Sequence, residues 1–512
     1  MMRRFLIVAV VLLCAAGLGT EGRGADDGVP DATTLRARMA AAIGPANENY
    51  RDTVIEHDAD GDVLITHAQR GANWLETKGG TYRTTSGTFN GMDWHQDLNG
   101  ITYADVPDPG AAARTKITTT VQRVASPVEA YVLSAIDEDG FGYRLYVDPV
   151  SYLVKRRDNI GTDGSTIVTF ADYKRYGTQL MPASWTITDL SDKSSTTYTR
   201  TSFSIGVATD ADVAVPPVRQ LVNFPPGVSN VDLHATFVGP TSLITIPITI
   251  GNRQVYFMVD SGASELSIDP AVAASLGLKS IGSTIVEGVA KEHAGEVVIP
   301  SMDISGIRIN NVVVDTIPFG SGRTPDDPAG LIGFDFIAEA VLNVDTAHHR
   351  VIATDPRVFT QPTGRNLEAL PIRLGDRIPL ISMNVGGAIA ERMVVDTGSD
   401  DTLLMFGYFQ RRHTGVFRDR PNHDALQSID PTPHYGFGEG IGGETDIHRT
   451  SVPYIHLGRR TIAEVPVDVI SGRHGFAWNV DGLLGRQILD AFDVVFDYED
   501  GMIFLWPANT SP

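Results

Sequence analysis

Two short triplets, Asp260-Ser261-Gly262 and Asp396-Thr397-Gly398, carry the residue types that could do chemistry in this chain. Each follows an apolar run, Phe257-Met258-Val259 in one case and Met393-Val394-Val395 in the other. Each is answered downstream by an apolar box, Gly330-Leu331-Ile332-Gly333 and Gly482-Leu483-Leu484-Gly485. A carboxylate on a glycine turn at the end of a buried strand, supplied twice, can form a facing pair. Facing carboxylates share a proton, and such a pair activates water for hydrolysis of a peptide bond. One triplet alone is a common turn sequence. The matching flanks give the pair its weight.

Positioning two such turns requires a duplicated scaffold, and from Ser242 onward the chain reads as one plan written twice. Copy one opens with Leu243 to Ile250, crosses a Gly-Asn turn and enters Val255 to Asp260. Copy two opens with Ile381 to Val385, crosses Gly386-Gly387 and enters Arg392 to Asp396. Each copy closes on a strand, Arg350 to Ala353 and Met502 to Leu505. The second copy is longer between its Asp and its Gly box, and the excess is placed in Phe409 to His434. Glycine-rich stretches, Gly282 to Gly295 and Gly436 to Gly443, are candidate flaps that close over an extended peptide; Gly288, Gly440, Gly442 and Gly443 are their marked positions.

On these residues the chain resembles an aspartic protease with two tandem retropepsin-like lobes, over roughly residues 240–508. The resemblance implies that Asp260 and Asp396 are a catalytic dyad. It implies that Ser261 and Thr397 hydrogen-bond across a pseudo-two-fold axis, and that Gly262 and Gly398 let backbone amides approach the carboxylates. Ser399 joins the supporting turn in copy two, where copy one has Ala263, so the two carboxylates are expected to differ in hydroxyl partners. No metal, cofactor or covalent intermediate is implied.

The remainder of the chain is of another kind. Residues 25–207 are Thr-rich and full of short alternating runs such as Ser165 to Phe170, which predict antiparallel strands with one wet face. This pattern resembles, weakly, the curved sheets of LolA-like periplasmic carriers. Modest helical periodicity is confined to Leu35–Ile43 and Ala271–Leu276. A Pro-rich connector, 208–240, contains Pro216-Pro217 and Pro225-Pro226. Lobes are placed at 241–356 and 366–508, and the short link between them favours pairing within one chain, hence a monomer. The expected fold is therefore all-β: an antiparallel β-sheet domain followed by two acid-protease β-barrel lobes. High usage of glycine (51) and proline (29) suits many short strands joined by turns.

Residues 1–24, with Arg3-Arg4 before the apolar Phe5–Leu13, read as a secretory signal peptide. That predicts a periplasmic or secreted protein that is not integral to the membrane. The only cysteine, Cys14, lies in this segment, and its lipidation is an alternative reading. A net charge of −21 without a basic stripe argues against nucleic acid as a partner. The expected partner is a polypeptide substrate. A catalytically silent peptide- or lipid-binding protein on the same fold is the competing reading.

Other motifs are weaker. Gly438-x-Gly440-x-x-Gly443 has the spacing of a dinucleotide fingerprint but lacks a strand–turn–helix context. Asp58 to Asp62 lacks the ligand order of a calcium loop and reads as a hairpin turn. His348-His349, if on a strand, point to opposite faces and make a poor metal site.

Overall fold

The computed structural model describes residues 28–508 except 59–60, 105–116, 127–128, 138–139, 162–163, 191–192, 240–242, 288–290, 376, 419–434, 441–442 and 471–479. The leader-like segment with Cys14, and the flap glycines Gly288 and Gly442, lie outside the described residues. The chain divides into two compact units, Met1–Asp97 with Pro107–Pro217, and Leu98–Val106 with Val218–Pro512.

The first unit is two antiparallel meanders joined edge to edge. One runs from Asn49–Asp58 to Met92–Gln96, the other from Thr118–Val124 to Ser195–Ile205. They join where Asn49–Asp58 pairs with Ser195–Ile205, Tyr50 opposite Ile205, with a register shift at Thr53/Val54. One helix, Ala32–Ile43, is capped by the Asp31 carboxylate and lays Leu35, Met39 and Ile43, one per turn, in the buried interior. Leu35 and Met39 share a core with Val54, Ile65, Leu133, Val147, Trp185 and others. Asp58 pairs with Gly61, a hairpin as the sequence indicated.

The second unit shows why the duplicated plan is two lobes. In the first, the hairpin Leu243–Ile250 and Arg253–Val259 leads to the Asp260 turn, and Arg253–Val259 then pairs in parallel with Gly330–Ile332. In the second, Ile378–Val385 and Ala388–Val395 lead to Asp396, and Ala388–Val395 pairs in parallel with Gly482–Leu484. The Gly boxes are thus the central strands that flank each carboxylate. Gly330 and Gly482 are glycines because a Cβ would stand 2.0 Å from the Ser267 carbonyl oxygen and 2.2 Å from that of Leu404. Bulk there would prise the strands apart.

A six-stranded sheet fuses the lobes: Val341–Asp345 of the first pairs antiparallel with Phe492–Asp497 of the second, Leu342 opposite Phe496. One hydrophobic core accordingly includes Ile246 and Phe257 of the first lobe and Ile381, Val452 and Phe496 of the second. The lobes pair within one chain. Asp269 caps a short helix, Pro270–Ser275, near the second stretch of helical periodicity.

Gly438, Gly440 and Gly443 lie in the antiparallel pair Tyr435–Gly440 and Gly443–Leu457, Gly440 opposite Gly443, and open no helix. His348 and His349 correct the sequence reading in one respect, since they sit on a turn and not on a strand. His349 has φ +52° and stacks on Phe237, while His348 faces Asp345 at 2.8 Å. Among the described residues no group of three or more His, Cys, Asp or Glu is placed to hold a metal ion, and no helix is long and apolar enough to cross a membrane.

Candidate active site

Each aspartate is presented by the strand before it and gripped by the Gly box beside it. The Asp260 N–H donates to the Ile332 carbonyl and the Asp396 N–H to that of Leu484, both at 3.0 Å. The turns then exchange hydrogen bonds. The Ser261 N–H donates to Thr397 Oγ1 and the Thr397 N–H to Ser261 Oγ, each at 3.0 Å. The Ser261 hydroxyl donates onward to the Val395 carbonyl at 2.7 Å, and that of Thr397 to the Val259 carbonyl at 2.9 Å. Both hydroxyls are buried, 2% and 1% exposed, and every one of these bonds crosses from one lobe to the other. Loss of either hydroxyl would strand an N–H and a carbonyl without water to replace the partner.

The exchange sets the carboxyl groups of Asp260 and Asp396 side by side, close enough that each shifts the other's titration. Gly262 and Gly398 stand close above the opposite acid: a Cβ on Gly262 would lie 2.6 Å from Cγ of Asp396, and one on Gly398 2.5 Å from Cγ of Asp260. The amides of the same glycines donate back to their own lobe's aspartate, at 2.8 Å in each case. Burial pushes Asp260 well above the usual carboxylate range, reinforced by the charge of Asp396. Asp396 is raised by burial as well, while the hydrogen bond from Asp260 and the amides of Gly398 and Ser399 oppose the shift. The pair therefore holds one proton between its members. Both side chains are crowded by protein yet only half-buried, so solvent still reaches them.

Ser399 does not act through its hydroxyl. That group is 3.3 Å from Asp401 Oδ2, and Ser399 supports Asp396 through its backbone N–H. The difference from Ala263 thus leaves the two carboxylates more alike than the sequence suggested. Gly440 and Gly443 sit opposite one another in their strand pair, as described above.

Three further residues escaped the sequence reading. Tyr498 lies beneath the dyad: its hydroxyl donates to the Ser261 carbonyl at 3.3 Å, its ring is 6.2 Å from Phe334, and burial together with the charges of Asp260 and Asp396 raises its pKa well above the ordinary phenol value. The signal available was an asymmetry, because Asp345-Thr346 in copy one answers to Asp497-Tyr498 in copy two. Arg377 of the second lobe is buried and ion-paired with Glu265, five residues past Asp260. Asp315 abuts Glu265, and burial, then the charge of Glu265, pushes it up to about 10, so it carries a proton.

Paired Asp-Ser/Thr-Gly turns on two parallel-braced strands, joined through a shared sheet, define a two-lobed acid-protease fold. Residues 246–336, which include the first turn and its Gly box, match the aspartyl protease family model. No curated protein matches the chain. Among solved structures, a DUF1329 family protein from Desulfovibrio piger aligns at 10% identity and TM-score 0.28, over 35% of this chain and 95% of that one. A putative outer membrane lipoprotein-sorting protein domain from Vibrio parahaemolyticus aligns at 12% identity and TM-score 0.27, over 36% and 94%.

Proposed function

We propose that this chain is an exported aspartic endopeptidase that cleaves peptide bonds with water activated by Asp260 and Asp396. The observation that supports it best is the two-way exchange between Ser261 and Thr397, which sets each turn's glycine against the opposite carboxyl. Two charges about 3 Å apart would repel by roughly 5 kcal/mol at an effective dielectric near 20, so one proton stays on the pair. The ionised member takes a proton from water, and the resulting hydroxide attacks the scissile carbonyl. The protonated member donates to the carbonyl oxygen as negative charge develops there. Return of a proton to the leaving nitrogen breaks the C–N bond and restores the singly protonated pair. Export is inferred from the leader-like first 24 residues, and the substrate is taken to be an extended polypeptide.

The test is incubation of the protein with a denatured-protein mixture from pH 3 to 7, beside Asp260→Asn and Asp396→Asn. Cleavage by the wild type, lost in each single variant, supports the shared dyad. Cleavage that survives in both variants overturns the Asp260–Asp396 dyad, and a wild type that binds peptides without cutting them at any pH overturns the enzyme in favour of a silent binding protein.

A further inference from the structure

The chain leaves its first unit after Asp97, contributes Leu98–Val106 to the second, and returns at Pro107. The described part of this excursion ends at Ala104, and it is anchored by specific bonds. Asn99, 4% exposed, presents its side-chain amide to Val313 in both directions: Oδ1 accepts from the Val313 N–H at 2.8 Å and Nδ2 donates to its carbonyl at 3.0 Å. A single side chain thereby supplies the pair of bonds a neighbouring strand would give to Ile307–Thr316. The Gly100 carbonyl accepts from the Arg219 N–H at 3.1 Å, and the Arg219 guanidinium donates to the carbonyls of Asn310 and Asn311.

Beyond these anchors, Ile101 and Tyr103 enter the core shared by the two lobes, 4% and 6% exposed. Tyr103 stands at a fork. Its ring meets Phe334 edge-on at 5.8 Å; Phe334 packs on Tyr498, whose hydroxyl holds the Ser261 carbonyl. On its other side the Arg377 guanidinium lies over the ring at 5.7 Å and pairs with Glu265. The two branches end at Ser261 and Glu265, either end of the loop that follows Asp260.

We propose that Leu98–Ala104 is a built-in part of the active-site floor, with Tyr103 as a positioning residue for the Asp260 loop and Asn99 as its pin. Its catalytic consequence rests on the protease reading; its structural consequence does not. Protein interiors are packed without slack, so a void at Tyr103 is transmitted to both branches. The first two hundred residues therefore cannot be shed as a detachable pro-segment, because they carry a piece of the site with them.

The experiment uses the full chain with Tyr103→Ala, Tyr103→Phe and Asn99→Ala. For Tyr103→Ala, kcat is expected to fall about 10- to 100-fold, with KM changed by less than about twofold and the limbs of the pH profile displaced. Tyr103→Phe, which keeps the ring, restores both. Unchanged kcat and pH profile in Tyr103→Ala overturn the proposal. A second arm works even if the alanine variant does not fold or the wild type proves inactive: a specific cleavage sequence is inserted between Ala214 and Val215 and cut after folding. Fragments that stay together through gel filtration, and part when Asn99→Ala and Tyr103→Ala are added, support the strut. Fragments that separate at once, leaving residues 215–512 with an unchanged melting temperature, overturn it. A wild type inactive on every substrate, with fragments that hold together, sinks the protease reading and leaves the strut standing.

Discussion

The two lobes bring the same turn to the dyad and surround it differently. Five residues past each aspartate stands another acid, Glu265 in the first lobe and Asp401 in the second. Glu265 is paired with a buried arginine and backed by a protonated Asp315. Asp401 faces other acids, Asp468, Asp400 and Asp396, beside the Ser399 hydroxyl, and is pushed up to about 6 by burial first and by the Asp468 and Asp400 charges next. Asp468 has its own partner in Arg449, 3.6 Å away. The dyad needs symmetry only in its first few ångströms. Outside that radius one lobe has a charge-compensated brace, and the other has an acid whose charge changes within the mildly acidic range.

The largest effect is expected at the centre, where the two lobes meet. Asp260→Asn and Asp396→Asn are each expected to lower kcat by about 1000-fold or more, to equal extents. Peptide-cleavage assays that show unequal losses would mean that the lobes do not share one proton. Next in size is Arg377→Met, which takes the Arg377 cation away from Glu265 and Asp315 and should cost about 3–5 kcal/mol. Denaturant unfolding measures it; no effect would show that the brace of the first lobe is no stronger than the open acid of the second. Ser261→Ala and Thr397→Val each strand two buried backbone groups, worth about 1–3 kcal/mol. Equal losses in the same unfolding assay sharpen the symmetry, and unequal ones break it.

The smallest effect is the pH dependence contributed by Asp401 of the second lobe. With Asp401 at about 6 when folded and about 3.9 when unfolded, the folded state keeps a proton that the unfolded state releases between those values. Stability from this group is therefore greatest below about pH 4, declines as pH rises to about 6, and is flat above. Asp401→Asn should lessen the slope in a series of melting temperatures taken across the window, leaving the part that Asp315 and the paired aspartates contribute. An unaltered slope would assign it to other carboxylates.

The parts of this site that were legible in the sequence are those whose meaning is local. An Asp-Ser/Thr-Gly turn after an apolar run, and a Gly-apolar-apolar-Gly box, are each fixed by backbone requirements of a few contiguous residues, and their repetition exposed the two-lobed plan. Period-2 runs likewise announced the antiparallel sheet of the first unit. What stayed hidden depends on residues distant in sequence. Arg377 meets Glu265 across 112 positions, and nothing near either residue marks it. Tyr498 looks like any aromatic after a strand. Asn99-Gly100-Ile101-Thr102-Tyr103 carries no mark of its own in a Thr-rich region, because alternation says which face is buried and not which neighbour buries it. Ser399 was misjudged for the converse reason: its neighbour Asp401 competes for the hydroxyl that the sequence offered to Asp396.

The six-stranded sheet has a consequence in time. Its central pair joins Val341–Asp345 to Phe492–Asp497, about 150 positions later, and its far edge joins Glu368–Pro371 to Met502–Pro507. Synthesis proceeds from the N-terminus, and pairing across such separations closes late. The first lobe can condense around Asp260 while the chain is still emerging, but it has no second carboxylate, no Thr397 to grip and no partner for its edge. On the proposed reading the paired acids meet only once Phe492–Asp497 has been made, so the order of the strands keeps the centre silent until then.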